Sequence, residues 1–412
     1  MNKAGFAVLI AATIMAVPLF AGIASAGDGS SGTITPVVEQ GTTDKLGGGD
    51  WVAVRAGDAN FGVVYGTAQN LNKVYILADY KRYIAGVDFY DAQGNFVKTR
   101  GVPVWTVFAQ SFDRMIEFSD ETDNHRFDMR MWDHGNESED TPIKGLTLVQ
   151  AWTLSGLTQE TSNGVLFVNF TLSISDRQYT WAWNEMLHRP VLAPQGLGSV
   201  EKLAFTFHIR VGIEGASARV PWFIVKIAGE DERRVLNRSF EGWREVEGQK
   251  VNMSMKYDHL IEGWDFADNK SSLLMETHMA FGNVVSKELA ERYRLREGNR
   301  ACERDCVRNE TKLGDDGREM SEDPKEVSTS GHWGSIDFAD DWERIGRFTW
   351  VSDVVVDGEQ EDMHFQVHGG GPWSFTYNRG TFLGMHVLGA FVYPEGDTIF
   401  HDPGFDAAAY QI

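Results

Sequence analysis

Apolar and polar residues alternate with a period of two along most of this chain from Trp51 onward. Leu166, Val168, Phe170, Leu172 and Ile174 fall on one face of an extended segment. Phe205, Phe207, Ile209, Val211 and Ile213 fall on one face of another, with Thr206, His208 and Arg210 opposite. Turn formers stand between such runs: Asp91-Ala92-Gln93-Gly94-Asn95, Asn163-Gly164 and Asp357-Gly358. Short strands separated by tight turns predict antiparallel sandwiches or barrels, not βαβ units. Taking Asp357-Gly358 as a two-residue hairpin turn sets a register in which Asp353 faces Asp362, Trp350 faces Phe365 and Phe348 faces Val367. A helix is predicted near 286–296, where Ser286 offers an N-cap to Lys287-Glu288-Leu289-Ala290-Glu291. The predicted fold class is therefore mostly β, as two antiparallel β-sandwich or barrel-like modules with one short helix.

The N-terminus departs from this pattern. Lys3 precedes an apolar run from Ala4 to Ile23, and Ala24-Ser25-Ala26 follows, which is the layout of a secretory signal peptide over 1–26. The run is about 20 residues, also long enough to span a bilayer. Cleavage after Ala26 and retention as an anchor are both open, and both place the rest of the chain outside the membrane. The Gly-, Ser- and Thr-rich stretch 27–49 reads as a flexible linker. A first β module is expected over 50–235 and a second over 250–405. The boundary falls at the charged segments Glu230-Asp231-Glu232-Arg233-Arg234 and Glu245-Val246-Glu247-Gly248. The stretch 297–330 is too polar to build a core and reads as a charged surface excursion. It holds the two cysteines, Cys302 and Cys306, for which an exported chain makes a disulfide the default.

Charge narrows the partners. The formal net charge is −21, which repels nucleic acid and anionic lipid. Contact with a membrane is expected only through an uncleaved N-terminal segment. Cell-envelope components or carbohydrate remain as expected partners. Of the Asn-x-Ser/Thr acceptors, Asn136 and Asn309 lie in polar loops and are the expected glycosylation sites, whereas Asn169 and Asn252 fall inside strand patterns.

Candidate chemistry is sparse. Asp120, Thr122, Asn124 and Asp128 echo the spacing of a Ca²⁺-binding loop, although His125 stands where the loop wants Gly and Met131 where it wants Glu. An acidic hairpin turn is the competing reading. His364 and His368 lie on one face of a strand pattern, ~13 Å apart at ~3.3 Å per residue, too far to share one metal. Asp337, Asp340, Asp341 and Glu343, together with Glu276 close to His278, are the carboxylates that paired glycoside-hydrolysing chemistry would use. Trp105, Trp152, Trp181, Trp183, Trp222, Trp264 and Trp350 are expected in the core, and Trp333, Trp342 and Trp373 at the surface. No Gly-x-Ser-x-Gly elbow or His-Glu-x-x-His motif occurs.

The pair Arg82-Tyr83-Ile84-Ala85-Gly86 and Tyr90-Asp91-Ala92-Gln93-Gly94, the Phe118-Ser119-Asp120 turn, and His401-Asp402-Pro403-Gly404 resemble segments of secreted β-rich proteins of archaeal surfaces. That resemblance covers about a third of the chain and implies an extracytoplasmic location, with no catalytic residue. The expectation is an exported cell-surface or extracellular protein with a structural, adhesive or ligand-binding role, taking calcium or glycan. The alternative is a secreted polysaccharide hydrolase.

Overall fold

The computed structural model describes residues 34–121, 127, 140–187, 189–228, 234–286, 333–339, 344–377 and 380–411. In chain order the strands are β1 (Val37–Thr43), β2 (Gly49–Ala56), β3 (Ala59–Tyr65), β4 (Tyr75–Tyr90), β5 (Phe96–Ser119), β6 (Thr141–Thr147) and β7 (Thr153–Ser162). Next come β8 (Val165–Gln178), β9 (Trp181–Asn184), β10 (Arg189–Leu192), β11 (Ser199–Ile227), β12 (Val235–Glu262), β13 (Ser271–Ser286) and β14 (Trp333–Ala339). The last are β15 (Arg344–Val351), β16 (Asp353–Val356), β17 (Glu359–Asp362), β18 (His364–Tyr377), β19 (Gly380–Tyr393), β20 (Thr398–His401) and β21 (Gly404–Gln411).

These strands form two antiparallel-rich sheets packed face to face, neither closed into a barrel. The first runs β1–β2–β3–β4–β5–β13–β19–β18. The second runs β7–β8–β11–β12, and β20 and β21 then share the far edge of β12. A parallel pairing of Trp222–Lys226 on β11 with Gly86–Tyr90 on β4 joins the two sheets at one end.

The alternation seen in the sequence decides what is buried. Leu166, Val168, Phe170, Leu172 and Ile174 all face the core from β8, and Phe205, Phe207, Ile209 and Val211 do so from β11. They meet the first sheet across the gap. Phe112 of β5 lies 4.6 Å from Phe205, and Phe365 of β18 lies 4.7 Å from Trp350 of β15, ring centre to ring centre. Trp152, Trp264 and Trp350 are core residues, as expected, whereas Trp105, Trp181, Trp183 and Trp222 are only half-buried. Truncating one such aromatic to alanine costs ~3–5 kcal/mol, from lost transfer energy and the cavity left behind.

Three local expectations come out differently. Within the expected linker 27–49, Val37–Thr43 forms β1 and pairs with β2 along its length. The glycines behind it serve the corner into β2, where Gly47, Gly48 and Gly49 all have positive φ and a Cβ on Gly49 would strike the Tyr65 carbonyl. The Asp357-Gly358 hairpin holds for four pairs, including Asp353 opposite Asp362. It then divides, because β15 pairs with β14 and β21 while β18 pairs with β19. Trp350 and Phe365 therefore meet across the core, not along a ladder. The strand pattern also continues through 235–250. That interval belongs to β12, which pairs with β11 over nearly its whole length as a ribbon projecting past Gly212 and Gln249. Ser286 ends β13, and the rest of the expected helix lies outside the described residues, as do 1–33 and 297–330. Among the described residues no helix is long and apolar enough to cross a membrane.

Two buried polar chains cross between the sheets. In one, Tyr257 of β12 donates to Gln110 Oε1 of β5 (2.7 Å), and Gln110 Nε2 donates to Thr277 Oγ1 of β13 (3.0 Å). In the other, His401 Nε2–H donates to the Val351 carbonyl (2.9 Å). His401 Nδ1 is therefore an acceptor for the Tyr393 hydroxyl (3.1 Å), whose oxygen accepts from His259 Nδ1–H (2.9 Å). This order leaves His259 Nε2 as a bare acceptor that finds no partner among the described residues. Burial, and then the neighbouring His401, hold His259 well below the usual histidine range. Burial pulls His401 down to about 4 against the opposing pull of the Val351 carbonyl and Asp402.

Both imidazoles fold as neutral groups, so the unfolded chain binds their protons first. The contribution of His401 is complete above pH 6.5 and is lost as the pH falls through about 4, and His259, held well below the usual histidine range, acts in the same sense. Asp79 works in the opposite sense. Burial first, with Asp58 adding and the Asn60 hydrogen bond opposing, pushes it up to about 8, so its share is lost as pH rises. Guanidinium unfolding from about pH 7 down to about pH 4 is expected to show His401→Asn with a shallower acid loss than the native chain, the difference reaching on the order of 3 kcal/mol. Parallel curves would contradict the buried neutral pair.

Candidate functional site

One end of the sandwich carries a cleft of about 720 Å³ built from four separate chain segments. Asp120 follows β5, and the loop 263–270 joins β12 to β13. The β16–β17 turn and the β19–β20 connection close the other side. Asp120, Asp265, Asp357, Glu359, Glu361, Glu395 and Asp397 line the cleft, against Lys270 as the one basic residue among its described lining.

The loop 263–270 is held from beneath by a buried ion pair. Glu117 of β5 has no exposed side-chain surface, and Lys144 of β6 has 5%, with Nζ and Oε2 3.3 Å apart. Glu117 accepts from the Trp264 indole N–H (3.0 Å) and from the Ala267 backbone N–H (2.7 Å). Lys144 donates to the Asp265 carbonyl and lies 4.5 Å over the Tyr179 ring. The Tyr179 hydroxyl in turn accepts from the Asp265 N–H (2.9 Å). Every polar atom of this latch that faces the core meets a partner in the loop, which is what makes burial of two charges tolerable. Trp264, with 1% of its surface exposed, plugs the cleft floor.

The far wall is braced by Asp357. Its Oδ1 accepts from Thr398 N–H (2.8 Å) and its Oδ2 from Asp397 N–H (3.2 Å). The Gly263 N–H donates to the Asp397 carbonyl (2.8 Å), tying the two walls together. Glu395 is held above the ordinary carboxylate range, by burial first and then by the charges of Asp268 and Glu361. The wall thus crowds acidic groups that repel one another.

Of the sequence-derived calcium residues, Asp120 is brought into this cleft, while Thr122, Asn124 and Asp128 lie outside the described residues. Cys302, Cys306, Asn136, Asn309, Asp340, Asp341 and Glu343 also lie outside them. His364 and His368 fall on β18, in agreement with the strand reading. Glu276 and Asp337 belong to different sheets, β13 of the first and β14 of the second. The residues that sequence reasoning missed are Asp265, Glu359, Glu361, Glu395 and Asp397. Pro394-Glu395-Gly396-Asp397 is an acidic turn legible as such, but nothing local shows that it meets Glu361. The chain matches no protein-family model and no curated protein.

Lys144→Met leaves the Glu117 charge buried without its counter-ion, and a loss of ~3–5 kcal/mol in denaturant unfolding is expected. The double change Glu117→Gln with Lys144→Met should recover part of that loss, since no lone charge then remains. A loss below ~1 kcal/mol for Lys144→Met would show that the pair does not hold the loop.

Proposed function

We propose that this chain is an exported β-sandwich that acts outside the cell by binding, not by catalysis, and that its ligand is Ca²⁺ taken in the acidic cleft. The observation that carries this reading is the convergence of seven carboxylates from four chain segments on one cleft. The donors there are oxygens, with no histidine or cysteine among the described lining residues, and a hard oxygen set suits Ca²⁺ over softer metals. Several of the acids are exposed, Asp265 by 68% of its side chain, so affinity in the ~10⁻⁴–10⁻³ M range of extracellular modules is expected. Such a cation keeps coordination positions open, through which the cleft would take anionic groups of cell-envelope components or carbohydrate. The N-terminal Lys3 and Ala4–Ala26 pattern supports export. Glycan recognition by aromatic stacking has less support, because the Trp264 face is buried and its N–H is used on Glu117.

A ligand that binds the folded state alone raises its stability by RT ln(1 + [L]/Kd). Moving the full chain from EDTA into about 10 mM Ca²⁺ is expected to add roughly 1.4 kcal/mol for a Kd near 1 mM, read as a rise of a few degrees in melting temperature. Glu361→Gln combined with Asp397→Asn should abolish the rise. No rise, or an equal rise with Mg²⁺, would count against a calcium site.

Relief of carboxylate repulsion gives a second readout at Glu395. Glu395→Gln should melt higher than the native chain in EDTA yet gain less from Ca²⁺. A variant that melts lower in EDTA would contradict the crowding described above.

A further inference from the structure

A second cluster of ligating groups lies on the outer face of the first sheet, away from the cleft. On β13, Met275, Thr277 and Met279 point into the core, so Glu276 and His278 point outward. On β5, Phe112 and Met115 are both fully buried, although residues three apart on a regular strand take opposite faces. The register explains this. Arg114 pairs with Glu276 and Phe112 with Thr277, leaving Asp113 as the extra residue of a β-bulge. Such bulges re-aim side chains. Here the bulge turns Asp113 and Arg114 together to the outer face, beside Glu276 and His278.

The ligand atoms of Asp113, Glu276 and His278 lie within 4.8 Å of one another. His278 Nε2 and Asp113 Oδ2 are 3.5 Å apart. That exceeds the ~2.7–3.2 Å of a good hydrogen bond. It is close to the ~3.3 Å that separates two ligands bound at ~2.0–2.1 Å to a tetrahedral metal. The other Asp113 oxygen and both oxygens of Glu276 are already held by other groups, so Glu276 would ligate through the second lone pair of an oxygen that Arg114 contacts. Asp113 Oδ1 accepts from Ser111 Oγ (3.1 Å) and pairs with Lys73 Nζ (2.6 Å). Glu276 takes a two-point contact from Arg114, at 2.7 and 3.2 Å. Metal-binding carboxylates are oriented by outer partners of this kind. All three groups are largely sheltered, His278 with 8% of its side chain exposed, Asp113 with 15% and Glu276 with 20%.

Two other chemistries fit less well. Ser111 donates to Asp113 and not to His278, so the imidazole cannot take its proton, as a hydrolytic triad requires. Both carboxylates already face cations, which does not favour either as the proton donor of a glycosidase pair.

We propose that Asp113, Glu276 and His278 form a site for one first-row divalent cation of the Zn²⁺ class, with one nitrogen and two carboxylate ligands and a further position open to water. The mixed nitrogen and oxygen set separates it from the all-oxygen calcium cleft. The test is titration of the chelator-treated full chain with Zn²⁺ by calorimetry, together with X-ray absorption of the loaded protein. One equivalent is expected, with a single imidazole and a shell of oxygens. His278→Gln and Asp113→Asn should each weaken binding by ~10–100-fold or more. Glu361→Gln should leave it unchanged while reducing the calcium response. Failure to bind Zn²⁺, two or more imidazoles in the absorption spectrum, or undiminished binding in a folded His278→Gln variant would overturn the site. The absorption measurement uses the native chain, so the result does not depend on the variants folding.

Discussion

A carboxylate with no exposed surface, Glu117, governs how this molecule presents its acidic end. Two charges taken out of water cost several kcal/mol each unless geometry returns that energy. Here it is returned by Lys144, by the Trp264 indole and by the Ala267 N–H, the last two belonging to the loop 263–270. The loop cannot lift away without stranding a buried charge. Asp265 and Lys270 are thereby fixed along one wall of the cleft, with the indole of Trp264 as its floor.

The sandwich beneath supplies the rigidity that this arrangement needs. Its core is aromatic and interlocked across the sheets, as Phe112 with Phe205 and Trp350 with Phe365 show. The polar chains through Tyr257 and Tyr393 cross the same space, and they work only if the sheets keep one relative position. Apolar packing sets the distance between the layers and the buried hydrogen bonds set their registry, because an unmade bond in the core costs ~1–3 kcal/mol. The His259 Nε2 acceptor, without a partner among the described residues, is one point at which this core is left unsatisfied.

Much of the fold was legible in the sequence, for a physical reason. Where one face of a strand is buried, period-two alternation must appear, and β8 and the inner half of β11 were read correctly from it. Asn163-Gly164 and Asp357-Gly358 adopt the positive φ values that their residue types favour. What could not be read is where the chain changes sheets. At Met363 the alternation continues on both sides while the chain passes from the second sheet to the first, so Trp350 and Phe365 looked like ladder neighbours. The ribbon around 235–250 is exposed on its outer parts, and its charges imitate a break between domains. The cleft shows the same limit. Asp120 stood out through its neighbours, whereas Asp265, Glu361, Glu395 and Asp397 are joined only through space. Asp113 and His278 were likewise hidden, since their meeting depends on a one-residue bulge that no periodicity reveals.

The most direct test of a latched acidic cleft that takes calcium is terbium luminescence. Tb³⁺ occupies calcium sites and is excited by a nearby indole, and Trp264 lines the cleft. The native chain is expected to give tryptophan-sensitised Tb³⁺ emission that Ca²⁺ displaces. Absent emission, or emission that Ca²⁺ fails to quench, would contradict the account.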